Sequence, residues 1–96
     1  MRVFFIVHGF VQGVGYRSLV KRIADRYRVK GMVRNAEDGA VEILAEANDE
    51  TLKLFENEID IDTENGPSVV SIERHCEGGE MFPRSARDYE DFVIAK

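Results

Sequence analysis

The segment His8–Arg17, HGFVQGVGYR, decides how the rest of the chain is arranged. An apolar run, Val3–Val7, precedes it, and a helical pattern follows from about Ser18. Its three glycines let the backbone turn tightly and approach a ligand closely. The free N–H groups at the start of a helix attract anions, and Arg17 adds a planar fork that matches phosphate or carboxylate oxygens. The sequence therefore predicts an oxyanion-binding loop between a strand and a helix.

The length and composition bound the class of protein. The 96 residues, 44% hydrophobic and 32% charged, predict a single domain over residues 1–96 with one modest core. No apolar run approaches the roughly 18 residues of a spanning helix. The one cysteine, Cys76, excludes an intrachain disulfide and fits a reducing compartment, so we expect an inert, partly buried thiol. We predict a soluble, cytoplasmic monomer without a membrane partner.

The net charge of −5 hides an uneven distribution. Residues 1–35 carry eight Lys or Arg against one acid, Asp25, whereas residues 36–96 carry five against seventeen acids. A basic first third around a glycine loop indicates a local field for an anionic ligand. The alternative, a solvated helix face, applies to most of these cations. The acidic overall balance disfavours a nucleic-acid partner.

Hydrophobic periodicity predicts two helices and five strands. The expected elements are strand 2–8, helix 18–28, strand 32–36, strand 41–47, a helix from 49 to about 59, strand 69–76 and strand 89–95. Asp38-Gly39 predicts a hairpin between the second and third strands, and Asn48 or Asp49 is expected to cap the second helix. This order favours an α+β fold, a ferredoxin-like α/β sandwich with a βαββαβ antiparallel sheet, two helices on one face and a short C-terminal strand.

Strand alternation predicts which side chains share a face. In the first strand, Val3, Phe5 and Val7 are expected on one side and Phe4 on the other. In the fourth strand, the same rule places Val70 with Ile72, and Val69 with Ser71. Residues 77–88 contain Gly78-Gly79 and Pro83 and are expected to form a polar loop.

Two familiar glycine motifs are absent from the loop. A dinucleotide fingerprint needs a third glycine where Ser18 stands, and a Walker loop needs Gly-Lys where Gly13 is followed by Val14. His8, His75 and Cys76 lack metal-ligand spacing. We therefore expect no cofactor and no metal, and an enzyme that works by positioning and electrostatics.

Residues 9–17 resemble the acylphosphatase signature G-x-V-Q-G-V-x-[FY]-R and meet all of its specified positions. A second block, Gly31–Asn35 followed by Asp38-Gly39, is similar to the G-x-V-x-N hairpin of the same family. Gly66-Pro67 and Phe92–Ile94 resemble later landmarks. The chain is thus identified as resembling a small stand-alone acylphosphatase over nearly its whole length.

The resemblance implies hydrolysis of the carboxyl–phosphate bond of acyl phosphates to carboxylate and inorganic phosphate. It places the catalytic residues on Arg17 and Asn35, the latter orienting the attacking water through its amide. The substrate phosphate is expected on the backbone amides of a loop that ends at the arginine. That loop comprises Gln12, Gly13, Val14, Gly15, Tyr16 and Arg17. Gln12 is expected to shape the loop and Tyr16 to pack beneath it.

Two other readings stay open at this point. One is a non-catalytic phosphate- or anion-binding regulatory domain, and the other is an RNA-binding module with Phe4 as an exposed aromatic. Phe10 departs from the family, which often has a basic residue there. Residues 77–88 are longer than a minimal member needs, and we expect Arg84 and Arg87 to be solvated there.

Overall fold

The structure is a computed structural model that describes residues 1–95. The predicted order of elements is confirmed, and the bounds differ from prediction by up to three residues. The elements are β1 (Arg2–Phe10), α1 (Tyr16–Tyr27), β2 (Lys30–Asn35), β3 (Val41–Glu46), α2 (Asp49–Ile59), β4 (Ser68–Cys76) and β5 (Phe92–Ile94). Neither helix of this described part is long and apolar enough to cross a membrane.

The strands form one sheet in the order β4-β1-β3-β2-β5. β1 pairs antiparallel with β3 and β4, and β2 pairs antiparallel with β3. β5 instead runs parallel to β2, with Gly31 opposite Phe92 and Val33 opposite Ile94. The ferredoxin-like α+β fold is thus confirmed, and the C-terminal strand makes the sheet mixed. That strand spans three residues and not the predicted 89–95.

The main core lies between the sheet and the two helices. Val3, Phe5 and Val7 of β1 pack there, as their alternation predicts. They meet apolar residues of both helices: Val20, Ile23 and Ala24 from α1, and Leu52, Phe55 and Ile59 from α2. The odd-numbered residues of β1 therefore fix which face of the sheet receives the helices.

The opposite face of the sheet is covered as well. Phe4, Met32 and Leu44 form a second buried cluster on it. Side chains from residues 77–91, here called the roof segment, pack against this cluster through Phe82, Ala86 and Tyr89. The predicted polar loop is therefore partly a packing element.

A β-bulge changes the expected faces of β4. His8 lies opposite Ser71 and Gly9 opposite Val69, so Val70 has no partner on β1 and is 80% exposed. Val69 and Ile72, and not Val70, pack toward the helices, and the predicted face for Val70 is wrong because the extra residue breaks strict alternation. A Cβ on Gly9 would lie 2.3 Å from the carbonyl oxygen of Ser68, so only glycine permits this approach.

The two helices begin at different kinds of cap. α1 begins at Tyr16, two residues before the prediction, because Gly15 takes the N-cap position with a left-handed φ of 80°. In α2 the N-cap is Asn48, whose side-chain oxygen accepts from the N–H of Thr51 at 2.8 Å. The alternative cap, Asp49, lies in the first turn, where its charge favours the helix dipole.

Cys76 is a free thiol at the last position of β4. Its side chain is exposed, so the prediction of partial burial is wrong. The reason is topological, because β4 is an edge strand and this residue stands at its end.

Candidate active site

The loop after β1 and the first turn of α1 form a pocket of about 280 Å³. Four of the residues predicted for phosphate binding line it: Gly13, Gly15, Tyr16 and Arg17. Val11, Ser18 and Ile94 complete the lining. None of these lining residues is acidic. The predicted loop is thus a concave surface beside a helix start and the end of β5.

The start of α1 leaves backbone donors at this pocket. Gly15 gives the helix no side-chain cap. The first helical hydrogen bond runs from the N–H of Leu19 to the carbonyl of Gly15 at 3.2 Å. The N–H groups of Tyr16, Arg17 and Ser18 precede it, so the helix itself supplies them no acceptor. Together with the positive end of the helix dipole, they favour an anion.

Arg17 lies half-buried at the rim of the pocket. Its Nη1 donates to the carbonyl oxygen of Ala95 at 3.4 Å, and the N–H of Ala95 donates to the carbonyl of Val33 at 2.8 Å. Among the described residues no carboxylate lies within 4.0 Å of this guanidinium. Within residues 1–95, the Ala95 carbonyl is the only acceptor found for its five N–H donors.

Asn35 is the last residue of β2 and lies opposite Val41 of β3. Its Oδ1 is buried, and within residues 1–95 no donor reaches it. Leaving a buried acceptor without a partner costs about 1–3 kcal/mol, so this oxygen requires a physical explanation. Asn35 is not among the residues that line the loop pocket.

Gln12 connects the loop to the hairpin that carries Asn35. Its Nε2 donates to the carbonyl oxygens of Ala36 and Ala40, at 2.8 Å each. The N–H of Ala36 donates to the same Ala40 carbonyl at 2.8 Å, which closes the hairpin turn. The side chain of Gln12 therefore contacts the hairpin, and Gln12 is not among the residues that line the loop pocket.

Tyr16 and Val14 fix the loop from below. The ring of Tyr16 is buried, and its hydroxyl donates to the carbonyl oxygen of Ile59 at the end of α2, at 2.8 Å. Burial, with a smaller effect from the Asp60 carboxylate, raises the pKa of Tyr16 above its ordinary value. Val14 packs against the main core. A packing role for Tyr16 is predicted from the sequence, but no local pattern indicates a hydrogen-bond partner 43 residues away.

The other candidate side chains lie elsewhere. His8 pairs with Glu73, and His75 lies 3.2 Å from the same carboxylate, so these two hydrogen bonds lower the pKa of Glu73. Arg87 lies with its guanidinium 5.1 Å from the ring centre of Tyr89 in the roof segment. Across the described chain, no group of three or more His, Cys, Asp or Glu is arranged to hold a metal ion.

Comparison with known proteins gives one family. The family model for acylphosphatase matches residues 3–93. An acylphosphatase of Pseudothermotoga lettingae is 41% identical over 86 residues, covering 85% of this chain and 92% of its own. An acylphosphatase of Bacillus velezensis is 56% identical over 50 residues, covering 52% of this chain and 56% of its own.

The fold comparison agrees with the sequence comparison. The crystal structure of an acylphosphatase from Bacillus subtilis matches with a TM-score of 0.78 and 34% identity. The match covers 99% of this chain and 98% of the Bacillus subtilis chain. The likeness thus extends over both the helix-covered sheet and the loop pocket.

The raised pKa of Tyr16 predicts a pH dependence of stability. The native state holds the phenolic proton more tightly than the unfolded chain, whose tyrosines titrate near 10. The hydroxyl therefore contributes its full stability below about pH 10 and loses it as the pH rises further. Tyr16→Phe should lower the free energy of unfolding by about 1 kcal/mol at pH 8.

Urea unfolding of both proteins between about pH 8 and 11 tests this sign. The gap in unfolding free energy between wild type and Tyr16→Phe should narrow above pH 10. A gap that stays constant over the whole range would contradict the assigned burial and hydrogen bond.

Proposed function

The chain belongs to the acylphosphatase family and hydrolyses acyl phosphates, and on this premise we propose how its residues perform that reaction. The observation that carries the assignment is one pocket shared by the Arg17 guanidinium and the uncapped start of α1. Water cleaves the carboxyl–phosphate bond, and the products are a carboxylate and inorganic phosphate.

The phosphoryl group binds in the loop pocket. Its non-bridging oxygens accept from the backbone N–H groups of the loop and of the first turn of α1. Arg17 supplies two parallel N–H donors and a positive charge. This charge stabilises the transition state more than the bound substrate, because negative charge spreads over these oxygens during the reaction. The acid-free lining supports this assignment, since no carboxylate there competes for the arginine.

The water is held by the amide of Asn35. This amide offers the water a hydrogen-bond donor and an acceptor, and so orients the water oxygen in line with the bond to the leaving carboxylate. The water oxygen bonds to phosphorus, and the acyl oxygen leaves with the electron pair of the broken bond. Gln12 keeps Asn35 in register with the loop, because it donates to the carbonyl of Ala36, the residue that follows Asn35.

The proton of the water passes to an oxygen of the transferred phosphate. No His, Asp, Glu or Cys stands among the residues that line the loop pocket. The Tyr16 hydroxyl is engaged with Ile59, and its pKa is raised by burial, so it is a poor base. Because the acyl carboxylate is a good leaving group, little proton transfer from the protein is needed.

Two substitutions separate binding from turnover. Arg17→Ala should lower kcat/KM for benzoyl phosphate by at least about 10³-fold and abolish inhibition by inorganic phosphate. Asn35→Ala should lower kcat by about 10²-fold to 10³-fold while the inhibition constant of phosphate stays within about threefold. The exposed Arg22 on the same helix provides the control, since Arg22→Ala removes an equal charge and should retain wild-type kinetics.

Steady-state hydrolysis with phosphate as competitor reads out both effects. If phosphate still inhibits Arg17→Ala, the proposed role of Arg17 in phosphate binding is wrong. Phosphate binding without any turnover in the wild type would favour the regulatory anion-binding alternative. The RNA-binding alternative has lost its aromatic, because Phe4 is only 5% exposed beneath the roof segment.

The proton step predicts a particular pH–rate profile. With the phosphate as proton acceptor, kcat should stay constant within about twofold between pH 6 and 9, where a histidine base would produce a step. His8→Gln serves as the comparison, because this histidine adjoins the loop in sequence. If the wild-type profile shows an ionisation near neutrality that is absent from His8→Gln, His8 and not the substrate phosphate accepts the proton of the water.

A cytoplasmic location, a monomeric state and the lack of a nucleic-acid partner stay predictions from the sequence. The free thiol of Cys76 supports a reducing compartment.

A further inference from the structure

A second pocket of about 210 Å³ lies on the face of the sheet that the helices do not cover. Phe4, Met32 and Leu44 form its apolar floor, and the roof segment closes it from above. We propose that this pocket binds a small carboxylate anion with a flat apolar body, at a site separate from the phosphate loop.

The roof segment is fastened to the sheet near both of its ends. Arg2 of β1 pairs with Glu77 and, at 3.7 Å, with Asp88. Its guanidinium also lies 5.4 Å from the ring centre of Phe82. These contacts add to the packing of Phe82, Ala86 and Tyr89 on the sheet, which places the roof segment over the floor of the pocket.

Arg87 supplies the charge that selects an anion. It lines the pocket and stacks on the ring of Tyr89, and among the described residues no carboxylate lies within 4.0 Å of it. The second lining arginine, Arg34, is already paired with Glu42 at 2.6 Å. The neighbouring Asp88 is directed to Arg2. Among residues 1–95, Arg87 is therefore the lining cation without a carboxylate partner, and it lies at the edge of an apolar floor.

The size and floor of the pocket define the ligand class. Sites for drug-sized ligands measure about 300–1,000 Å³, so this one admits little more than a single ring with its carboxylate. An arginine fork matches a carboxylate with two parallel hydrogen bonds. Inorganic phosphate would lose its hydration without covering the apolar floor, whereas an aromatic acid gains from burying its ring.

The second pocket and the phosphate loop lie on opposite faces of the sheet. Ala95 is the link between them, because it lines the second pocket while its carbonyl accepts from Arg17. The floor residues of the second pocket do not line the loop pocket. The two pockets therefore share no lining residue, and we expect benzoate to bind while phosphate occupies the loop.

Benzoate is the probe for this site. It is titrated into the full chain in the presence of saturating inorganic phosphate, and the methyl NMR signals of Met32 and Ala86 are followed. Both signals should shift with one dissociation constant. Arg87→Gln should raise the dissociation constant of benzoate by about tenfold. Arg84 is an exposed arginine of the roof segment outside the pocket lining, and Arg84→Gln should leave this constant unchanged.

Neutral and purely ionic probes test the two parts of the recognition. Benzyl alcohol should bind about tenfold more weakly than benzoate, and phosphate alone should not shift these methyl signals. Ala86→Leu fills the pocket and should abolish benzoate binding if Arg87→Gln proves too unstable to measure. Equal affinity for benzoate in wild type and Arg87→Gln, or shifts confined to residues 12–17, would overturn the proposal.

Hydrolysis keeps this outcome separate from the proposed mechanism. Arg87→Gln and Ala86→Leu should hydrolyse benzoyl phosphate at wild-type rates, because neither residue lines the phosphate loop. Loss of benzoate binding with intact hydrolysis supports the second site. Loss of hydrolysis in both variants would contradict its separation from the phosphate loop.

Discussion

The site depends on two hydrogen bonds from one side-chain amide. Gln12 donates to the carbonyls of Ala36 and Ala40, which lie 24 and 28 residues further along the chain. β3 separates β1 from β2 in the sheet, so the loop after β1 and the end of β2 have no direct strand pairing. The amide spans this gap. It thereby connects the loop that we propose to bind phosphate with the hairpin that carries Asn35.

β5 closes the site from the other edge. This short strand pairs parallel with β2. Two cations of α1 donate to carbonyls in or next to it: Lys21 to Phe92 at 2.9 Å, and Arg17 to Ala95, the residue after β5. The guanidinium of Arg17 makes one contact with a backbone carbonyl, which leaves its charge available for an anion. In this arrangement the backbone of α1, β2 and β5 sets the positions of the site residues, so the proposed hydrolysis needs few side chains.

Much of this arrangement could be predicted from the sequence. The alternation of Val3, Phe5 and Val7 identified the helix-covered face, and the glycine pattern located the loop pocket. The assignment of Arg17 and Asn35 came from the resemblance to a family, because neither residue type is diagnostic alone. The hairpin was predictable for a physical reason: Asp-Gly at its turn accommodates a positive φ, which is 96° at Gly39.

The rest could not be predicted, for reasons that lie in tertiary structure. The alternation rule assumes two residues per repeat, so it cannot predict the extra residue Val70 at the bulge. A glycine N-cap has no side-chain signature, so the start of α1 at Tyr16 could not be predicted from Gly15. Residues 77–88 are predicted as a polar loop because their apolar residues follow no regular period, although Phe82 and Ala86 pack on the sheet. The bonds of Gln12 and Tyr16 join distant segments and leave no local pattern.

A double-mutant cycle between Gln12 and Asn35 tests the coupling of loop and hairpin most directly. Values of kcat/KM for benzoyl phosphate are measured for wild type, Gln12→Leu, Asn35→Ala and the double variant, with urea unfolding to confirm that each is folded. Because Gln12 holds the Asn35 hairpin in register, Asn35→Ala should cost at least about 1 kcal/mol less in the Gln12→Leu background than in wild type. Costs that add within about 0.5 kcal/mol would contradict this coupling and leave Gln12 a purely structural residue.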